Sequence, residues 1–326
     1  MTAVSDRLPQ RSPQEEARKG ALYALLAYGL WGTYALYFGA LAHFDALEVV
    51  AHRAFWSLPV AGAVLIALGR MADLWDIFAD WRLMAKMLLT SFLVGVSWGF
   101  FVWAVAVDRT LETSLGYYIN PLLNVLIGFA VLGERLSRAQ TFAVGLAALA
   151  VLLQTLTAGV FPWVALVLAA SFASYGYLRK TMPVGAVEGF FIEALVLSTV
   201  GLLVVAWLSE HGQLRFGTNL SDTLLLIGCG PVTALPLMWF AAAARRIRFA
   251  TLGLLQYIAP SGLFLTAVFV FGEPLNVWGL ASFALIWAAL AIYSLDMLRG
   301  ETEAARRLPS TASATAAARD GRESAS

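Results

Sequence analysis

A few ionisable residues interrupt long apolar stretches of this 326-residue sequence. His52 and Arg53 lie about one helical turn after Glu48 in one stretch, and Glu193 lies in another. Such groups are costly inside a membrane, need partners there, and commonly serve substrate or proton pathways. We therefore expect Arg53 to bind an anionic group and to pair with Glu193, and His52 and Glu193 to take part in proton coupling. The alternative for each is structural: Arg53 extends to the interface, and the other two hydrogen-bond neighbouring helices.

Amide and tyrosine side chains stand beside a proline in two further apolar stretches. These residues are Tyr118, Asn120 and Asn124 around Pro121, and Gln256 and Tyr257 before Pro260. Proline frees a backbone carbonyl one turn earlier in a helix. We therefore expect both prolines to kink their helices and the polar side chains to line a central cavity. The alternative is that the amides only join neighbouring helices, where each contact is worth roughly 0.6 kcal/mol on average.

Several tryptophans lie deep within the apolar stretches. Of the 11 in the sequence, we expect Trp56, Trp98 and Trp103, together with Tyr34, to contribute to a π-rich pocket for an aromatic or cationic organic molecule. Simple packing is the alternative for any one of these rings.

Motifs for enzyme chemistry are missing from the sequence. It contains no G-x-x-x-x-G-K-[ST] phosphate loop and no H-E-x-x-H pair among its three histidines. Cys229 is the single cysteine, which excludes an internal disulfide and a thiolate metal cluster. The formal net charge of +1 gives no reason to expect nucleic-acid binding. We therefore expect no enzyme activity, no cofactor and no metal site.

The elements that must position these residues are apolar helices. Apolar residues make up 60% of the chain and charged residues 13%, against about 45–50% and 25% in soluble domains. A bilayer core about 30 Å thick requires roughly 20 helical residues. Stretches of this kind cover residues 20–40, 46–69, 84–107, 112–133, 139–157, 160–179, 187–209, 221–244, 249–272 and 276–297. We predict an all-α polytopic membrane protein with ten transmembrane helices.

The positive side chains are distributed unevenly between the connections. With a cytoplasmic N-terminus, only Arg53, Arg109 and Arg215 of the 22 Lys and Arg residues fall outside. This bias predicts that both termini are cytoplasmic. The polar composition of residues 1–18 and 298–326 predicts two disordered cytoplasmic tails.

The two halves of the sequence repeat one another at an offset of 139 residues. The matched pairs are Tyr118 with Tyr257, Pro121 with Pro260 and Glu134 with Glu273, and a shift of one position matches Glu48 with Glu188 and Arg53 with Glu193. Five-span repeats over residues 19–157 and 159–297 would enter the membrane from opposite sides, because five is odd. Glu134 and Glu273, as caps or gate contacts, would then lie at opposite surfaces. Inverted repeats are the framework of many secondary transporters; a duplicated bundle without a transport role is the alternative.

Five stretches of sequence carry a resemblance to a known family. They are EVVAHRAFWS at 48–57, SLGYYINPL at 114–122, GERLS at 133–137, GPVTALPL at 230–237 and LLQYIAP at 254–260. With these motifs, the chain resembles the EamA-type family of the drug/metabolite transporter superfamily over residues 20–297. It departs from the family pattern at Ser97 and Ala106, where we expect asparagine in relatives. If those amides bind substrate in relatives, the substrate here differs.

The resemblance implies a secondary transporter of the inner membrane that exports small organic metabolites or drugs. Its two halves would rock about a midplane cavity in alternating access, with a small-molecule substrate and the lipid bilayer as partners. The small-residue face formed by Ser91, Gly95 and Gly99 suits close packing, either within the chain or in a homodimer.

Two other functions stay open at this point, a non-transporting membrane sensor or assembly component and a pore. A polar cavity lined by Arg53, Asn120 and Gln256 would favour transport, and a tightly packed centre would favour the sensor or assembly component.

Overall fold

The computed structural model describes residues 12–107, 109–159, 161–272 and 277–307. All regular secondary structure in these ranges is helical and forms thirteen helices. They are α1 (Pro13–Gly32), α2 (Tyr34–Ala40), α3 (Ala46–Ala67), α4 (Asp73–Ala79), α5 (Trp81–Ala106), α6 (Thr110–Ala130), α7 (Arg138–Ala158), α8 (Trp163–Thr181), α9 (Ala186–Glu210), α10 (Leu220–Ala244), α11 (Phe249–Leu255), α12 (Ile258–Phe269) and α13 (Val277–Arg307). The predicted all-α fold is confirmed for these ranges.

Seven helical stretches within the described ranges are long and apolar enough to cross a membrane. They are α3, residues Trp81–Ala104 of α5, α7, α9, α10, the stretch Phe249–Phe269 that spans α11 and α12, and residues Val277–Met297 of α13. The chain is therefore a multi-pass membrane protein, as predicted. The number of ten spans stays a prediction, because α1, α6 and α8 do not belong to this set.

The first and last helices extend beyond their predicted ends. The Ser12 hydroxyl accepts the Glu15 backbone N–H (3.2 Å), and the Glu15 carboxylate accepts the Ser12 N–H (3.1 Å), which caps α1 ahead of Pro13. At the other end, α13 continues to Arg307. These helices correct the predicted tails, because residues 13–18 and 298–307 are helical. Residues 1–11 and 308–326 of those tails lie outside the described ranges.

Two predicted single spans are interrupted helices. The first breaks at Thr33, between α1 and α2, and the Thr33 hydroxyl donates to the Leu30 carbonyl (2.8 Å). The ninth breaks between α11 and α12, just before Pro260, at the place where a kink was predicted. Pro121, in contrast, lies inside α6, which continues without a break from residue 110 to residue 130.

Glycine allows α1 and α12 to cross at backbone contact. A Cβ atom added to Gly262 would lie 2.7 Å from the Cα atom of Gly32 and 3.0 Å from its carbonyl oxygen. Small residues let membrane helices approach in this way. The crossing holds the interrupted first span against the interrupted ninth span.

We expect Gly262→Val to destabilise the protein by about 1–3 kcal/mol, because the added methyl groups would push two backbones apart. Gly29→Val is the matched control, since a Cβ atom at Gly29 meets nothing within 4 Å. Thermal unfolding in lipid nanodiscs measures both variants. Equal losses in the two would contradict the crossing.

The remaining packing joins the two halves of the sequence. Helix α3 packs along α9 and α10, α6 along α8 and α11, and α7 along α13. Glu134 caps α11, because its carboxylate oxygens accept the backbone N–H groups of Phe249 (2.6 Å) and Ala250 (2.9 Å). Its predicted role as a cap is therefore confirmed, whereas Glu273 lies outside the described ranges.

Candidate functional site

A single guanidinium lies among aromatic rings where several helices meet. Arg53, on α3, donates from Nε to the Thr233 hydroxyl of α10 (3.1 Å). Its guanidinium carbon is 5.0 Å from the ring centroid of Phe38 on α2 and 4.9 Å from that of Trp98 on α5. Arg53, Phe38 and Trp98 are each partly buried. Arg53 and Trp98 are therefore in contact.

One tyrosine lies beside the rings around Arg53. The ring centroid of Tyr34, on α2, is 5.1 Å from that of Phe38. The Tyr34 hydroxyl donates to the Val232 carbonyl (2.6 Å), which is the carbonyl one turn before Pro236 that a helical proline leaves free. Tyr34 therefore joins α2 to α10 next to Thr233.

We call this group of residues the Arg53 pocket. It consists of Tyr34, Phe38, Arg53, Trp98 and Thr233. A cavity of about 380 Å³, lined in part by Tyr34 and Val232, adjoins it. The pocket contains a permanent cation, the hydroxyl groups of Tyr34 and Thr233, and no acidic side chain.

The predicted pairing of Arg53 with Glu193 is wrong. Within the described ranges, no carboxylate oxygen lies within 4.0 Å of Arg53. Glu193 instead lies 3.6 Å from Arg179 Nε and accepts the Tyr175 hydroxyl (3.1 Å). Arg179 lies in the last turn of α8, and a connection of only residues 182–185 leads to α9. Glu193 therefore meets a partner that is closer along the chain than Arg53.

His52 and Trp56 lie outside the Arg53 pocket, contrary to the prediction. Trp56 Nε1 donates to His52 Nδ1 (3.2 Å), and the His52 ring stacks on Phe216 at 4.7 Å. His52 Nε2 is 4.0 Å from Glu48. Successive residues of a helix point about 100° apart, so His52 faces the connection before α10 while Arg53 faces the pocket.

The predicted amide cluster is buried and joins helices. Asn124 Nδ2 donates to Gln256 Oε1 (2.8 Å) and Asn120 Oδ1 (3.3 Å), and Asn120 Nδ2 donates to the Ala169 carbonyl (2.8 Å). Asn120 is 3% exposed and Gln256 4%. These amides therefore line no open cavity together with Arg53. The alternative of interhelical contacts is the correct one.

The two tyrosines predicted beside the amides are also packed. The Tyr257 hydroxyl donates to the Tyr118 carbonyl (3.0 Å), and the Tyr118 ring contacts Phe283 at 5.6 Å between centroids.

Trp103 lies on a different surface from Trp98. It is 41% exposed, borders a groove of about 510 Å³ with Val96 and Phe100, and its ring is 5.5 Å from that of Trp163. Its predicted place in the pocket is wrong. Five residues separate Trp98 from Trp103, which turns them to different faces of α5.

Comparison with known proteins identifies the family. The EamA-like transporter family profile matches residues 18–156. Protein RarD of Streptomyces exfoliatus is 42% identical over 92% of this chain and 95% of its own length. The chain belongs to the EamA-like transporter family. An uncharacterized transporter of Vibrio cholerae is 44% identical over 90% of this chain and 97% of its own, and Escherichia coli RarD is 39% identical over 87% and 96%.

Membership of the EamA-like family confirms the predicted resemblance and makes this chain a membrane transporter with a small-molecule substrate. A chain of known crystal structure shares the fold, with a TM-score of 0.66 at 20% identity over 85% of this chain and 97% of that chain. The Arg53 pocket therefore lies in a transporter of the EamA-like family. Phe38 and Thr233 are the pocket residues that the sequence did not indicate, because each is an ordinary residue in an apolar helix.

Proposed function

We propose that this chain is a secondary exporter that moves small organic molecules across the inner membrane by alternating access, with the Arg53 pocket as its substrate site. The observation that carries the proposal is an unpaired guanidinium among aromatic rings, lined by helices of both halves. Intramembrane cations without a partner are expensive and mark substrate pathways. A site shared by two halves changes its exposure when the halves rock.

Pairs of equivalent helices support two inverted five-span repeats. Helix α3 packs along its equivalent α9, and α7 along its equivalent α13, as expected around a pseudo-two-fold axis. The equivalent acidic residues also match: Glu48 accepts the Phe216 backbone N–H (2.9 Å), and Glu188 lies 2.8 Å from Arg70. Each residue thus contacts a connection of the other repeat.

Contacts among the positive connections support cytoplasmic termini. Lys180 Nζ donates to the Ile247 carbonyl (2.6 Å), and Arg246 Nε donates to Glu16 (3.0 Å). These bonds gather the α8–α9 connection, the α10–α11 connection and the start of α1 at one end of the bundle. A shared surface for basic connections is what the positive-inside rule requires.

The proposal includes proton coupling, with Glu193 as the residue that binds and releases the proton. This carboxylate is buried, and its Oε1 accepts no hydrogen bond within the described ranges. Protonation of Glu193 would remove the charge that faces Arg179, and the α8–α9 contact would then change with transport. His52 is the second candidate and lies against Phe216, in the connection before α10.

A homodimer stays a prediction, although Gly95 of the small-residue face packs inside the chain against Leu197.

Counterflow in proteoliposomes tests the proposed function. We expect the purified chain to exchange at least one labelled compound from a panel of organic anions, neutral molecules and cations only when unlabelled compound is trapped inside. An imposed pH gradient should alter the rate, and Glu193→Gln should remove that dependence. Binding without exchange would favour the sensor or assembly component, and flux without a need for trapped compound would favour a pore.

A further inference from the structure

We propose that the substrate carries a carboxylate or similar planar anionic group on an apolar body, and that Arg53 binds this group with its two terminal NH₂ groups. The inference rests on the proposed function, because it assigns the chemistry of the substrate to the pocket of a transporter.

Arg53 has unused hydrogen-bond donors that point to a planar acceptor. A guanidinium offers five N–H donors, and only Nε of Arg53 has a partner in the described ranges, the Thr233 hydroxyl. The bond at Nε fixes one edge of the group. The terminal nitrogens form the edge that matches a carboxylate in a two-point contact.

The charge of Arg53 is unbalanced, in contrast to three other arginines. Carboxylates lie 3.6 Å from Arg179, 2.8 Å from Arg70 and 3.0 Å from Arg246. The Arg53 pocket holds only neutral tyrosine, phenylalanine, tryptophan and threonine beside the cation. An anion from outside the chain would therefore supply the missing charge.

The contacts of the aromatic rings with Arg53 disfavour a cationic substrate. Phe38 and Trp98 both lie about 5 Å from the guanidinium carbon, so the π surfaces that would attract a ligand cation are already in contact with one. Of the two expected ligand types, aromatic and cationic, only the aromatic one fits, because Arg53 would repel a second positive charge. The adjoining cavity, which is lined mostly by apolar side chains and by Tyr34, offers space for the body of the ligand.

Ligands matched in shape but different in charge test the inference. We would measure equilibrium binding at pH 7 to the full chain in zwitterionic nanodiscs. The ligands form three trios, built on phenylpropyl, phenylbutyl and naphthylethyl skeletons. Each trio consists of a carboxylate, the corresponding amide and the corresponding amine. In at least one trio, the carboxylate should bind about tenfold more tightly than the amide, a difference near 1.4 kcal/mol, and the amine should bind least.

Variants assign that preference to the pocket. Arg53→Gln should abolish the preference for the carboxylate, and Arg53→Lys should keep the order with weaker binding, since lysine retains the charge but lacks the fork. Arg82→Gln is the matched control, because Arg82 is an exposed cation that stacks only on Trp81. Its preference should equal that of the unaltered chain.

No preference for the carboxylate in any trio, or an unchanged preference in Arg53→Gln, would overturn the inference. Its failure is distinguishable from failure of the proposed function. Counterflow of a neutral or cationic compound without this preference would leave the transporter intact and reject the anionic substrate. Carboxylate binding without any counterflow would retain the anion site and reject transport.

Discussion

Replacing Arg179 by methionine should destabilise the protein by about 3–5 kcal/mol, the usual cost of removing one partner of a buried ion pair. Arg179 is fully buried, lies 3.6 Å from Glu193, and donates to the carbonyls of Gly185 (3.0 Å) and Ala186 (2.8 Å). The variant leaves the Glu193 carboxylate buried without its cation. The unfolding free energy in mixed detergent micelles measures the loss.

A second substitution distinguishes charge from packing. Arg179→Met combined with Glu193→Gln should recover more than half of the loss, because the buried charge is gone and the glutamine oxygen still accepts the Tyr175 hydroxyl. Arg82→Gln, which removes an exposed cation, should change stability by less than about 0.5 kcal/mol. If the double variant is as unstable as the single one, the ion pair is not the cause.

Glu48→Ala should cost about 3 kcal/mol or more, since hydrogen bonds to a charged acceptor contribute about 1.5–3 kcal/mol each. Glu48 is fully buried at the start of α3, and its Oε1 accepts the backbone N–H groups of Arg215 and Phe216, each at 2.9 Å. The substitution leaves both donors without this acceptor. It also frees the connection on which His52 stacks.

Glu48→Gln provides the conservative comparison, because its amide oxygen can still accept both N–H groups. We expect it to retain most of the stability, and Glu210→Ala, at an exposed carboxylate, to change little. Hydrogen exchange at Arg215 and Phe216 reports on the same contact. If exchange there is no faster in Glu48→Ala than in the unaltered chain, the side chain does not hold this connection.

The predictions that depended on the length of apolar stretches and on the position of proline were the most successful. Apolar stretches of span length gave the membrane helices, and proline at position 260 marked the interrupted ninth span. Predictions about which side chains meet were weaker. Arg53 and Trp98 do meet, but Glu193 and His52 have other partners.

The reason lies in the rotation of helices about their axes. A helix that is apolar on all sides has no polar face to mark its orientation. The faces of α3 and α6 that contact other helices could therefore not be assigned from their sequences. A rotation of about 100° per residue separates Arg53 from His52. Asn120, Asn124 and Gln256 do lie together, as expected. They are buried, however, and join helices instead of lining an open cavity.

By itself, the sequence determined that this chain is an all-helical membrane protein of the EamA-like type, because composition, span length and motifs are properties of the chain alone. Only the tertiary structure decided which polar groups satisfy one another. Glu193 pairs with Arg179, and the side-chain amides of Asn124 and Gln256 hydrogen-bond each other. Arg53 contacts aromatic rings and has no carboxylate partner within the described ranges. The pairing of buried groups depends on which helix faces are in contact, and contacts between distant helices are set by the packing of the whole bundle.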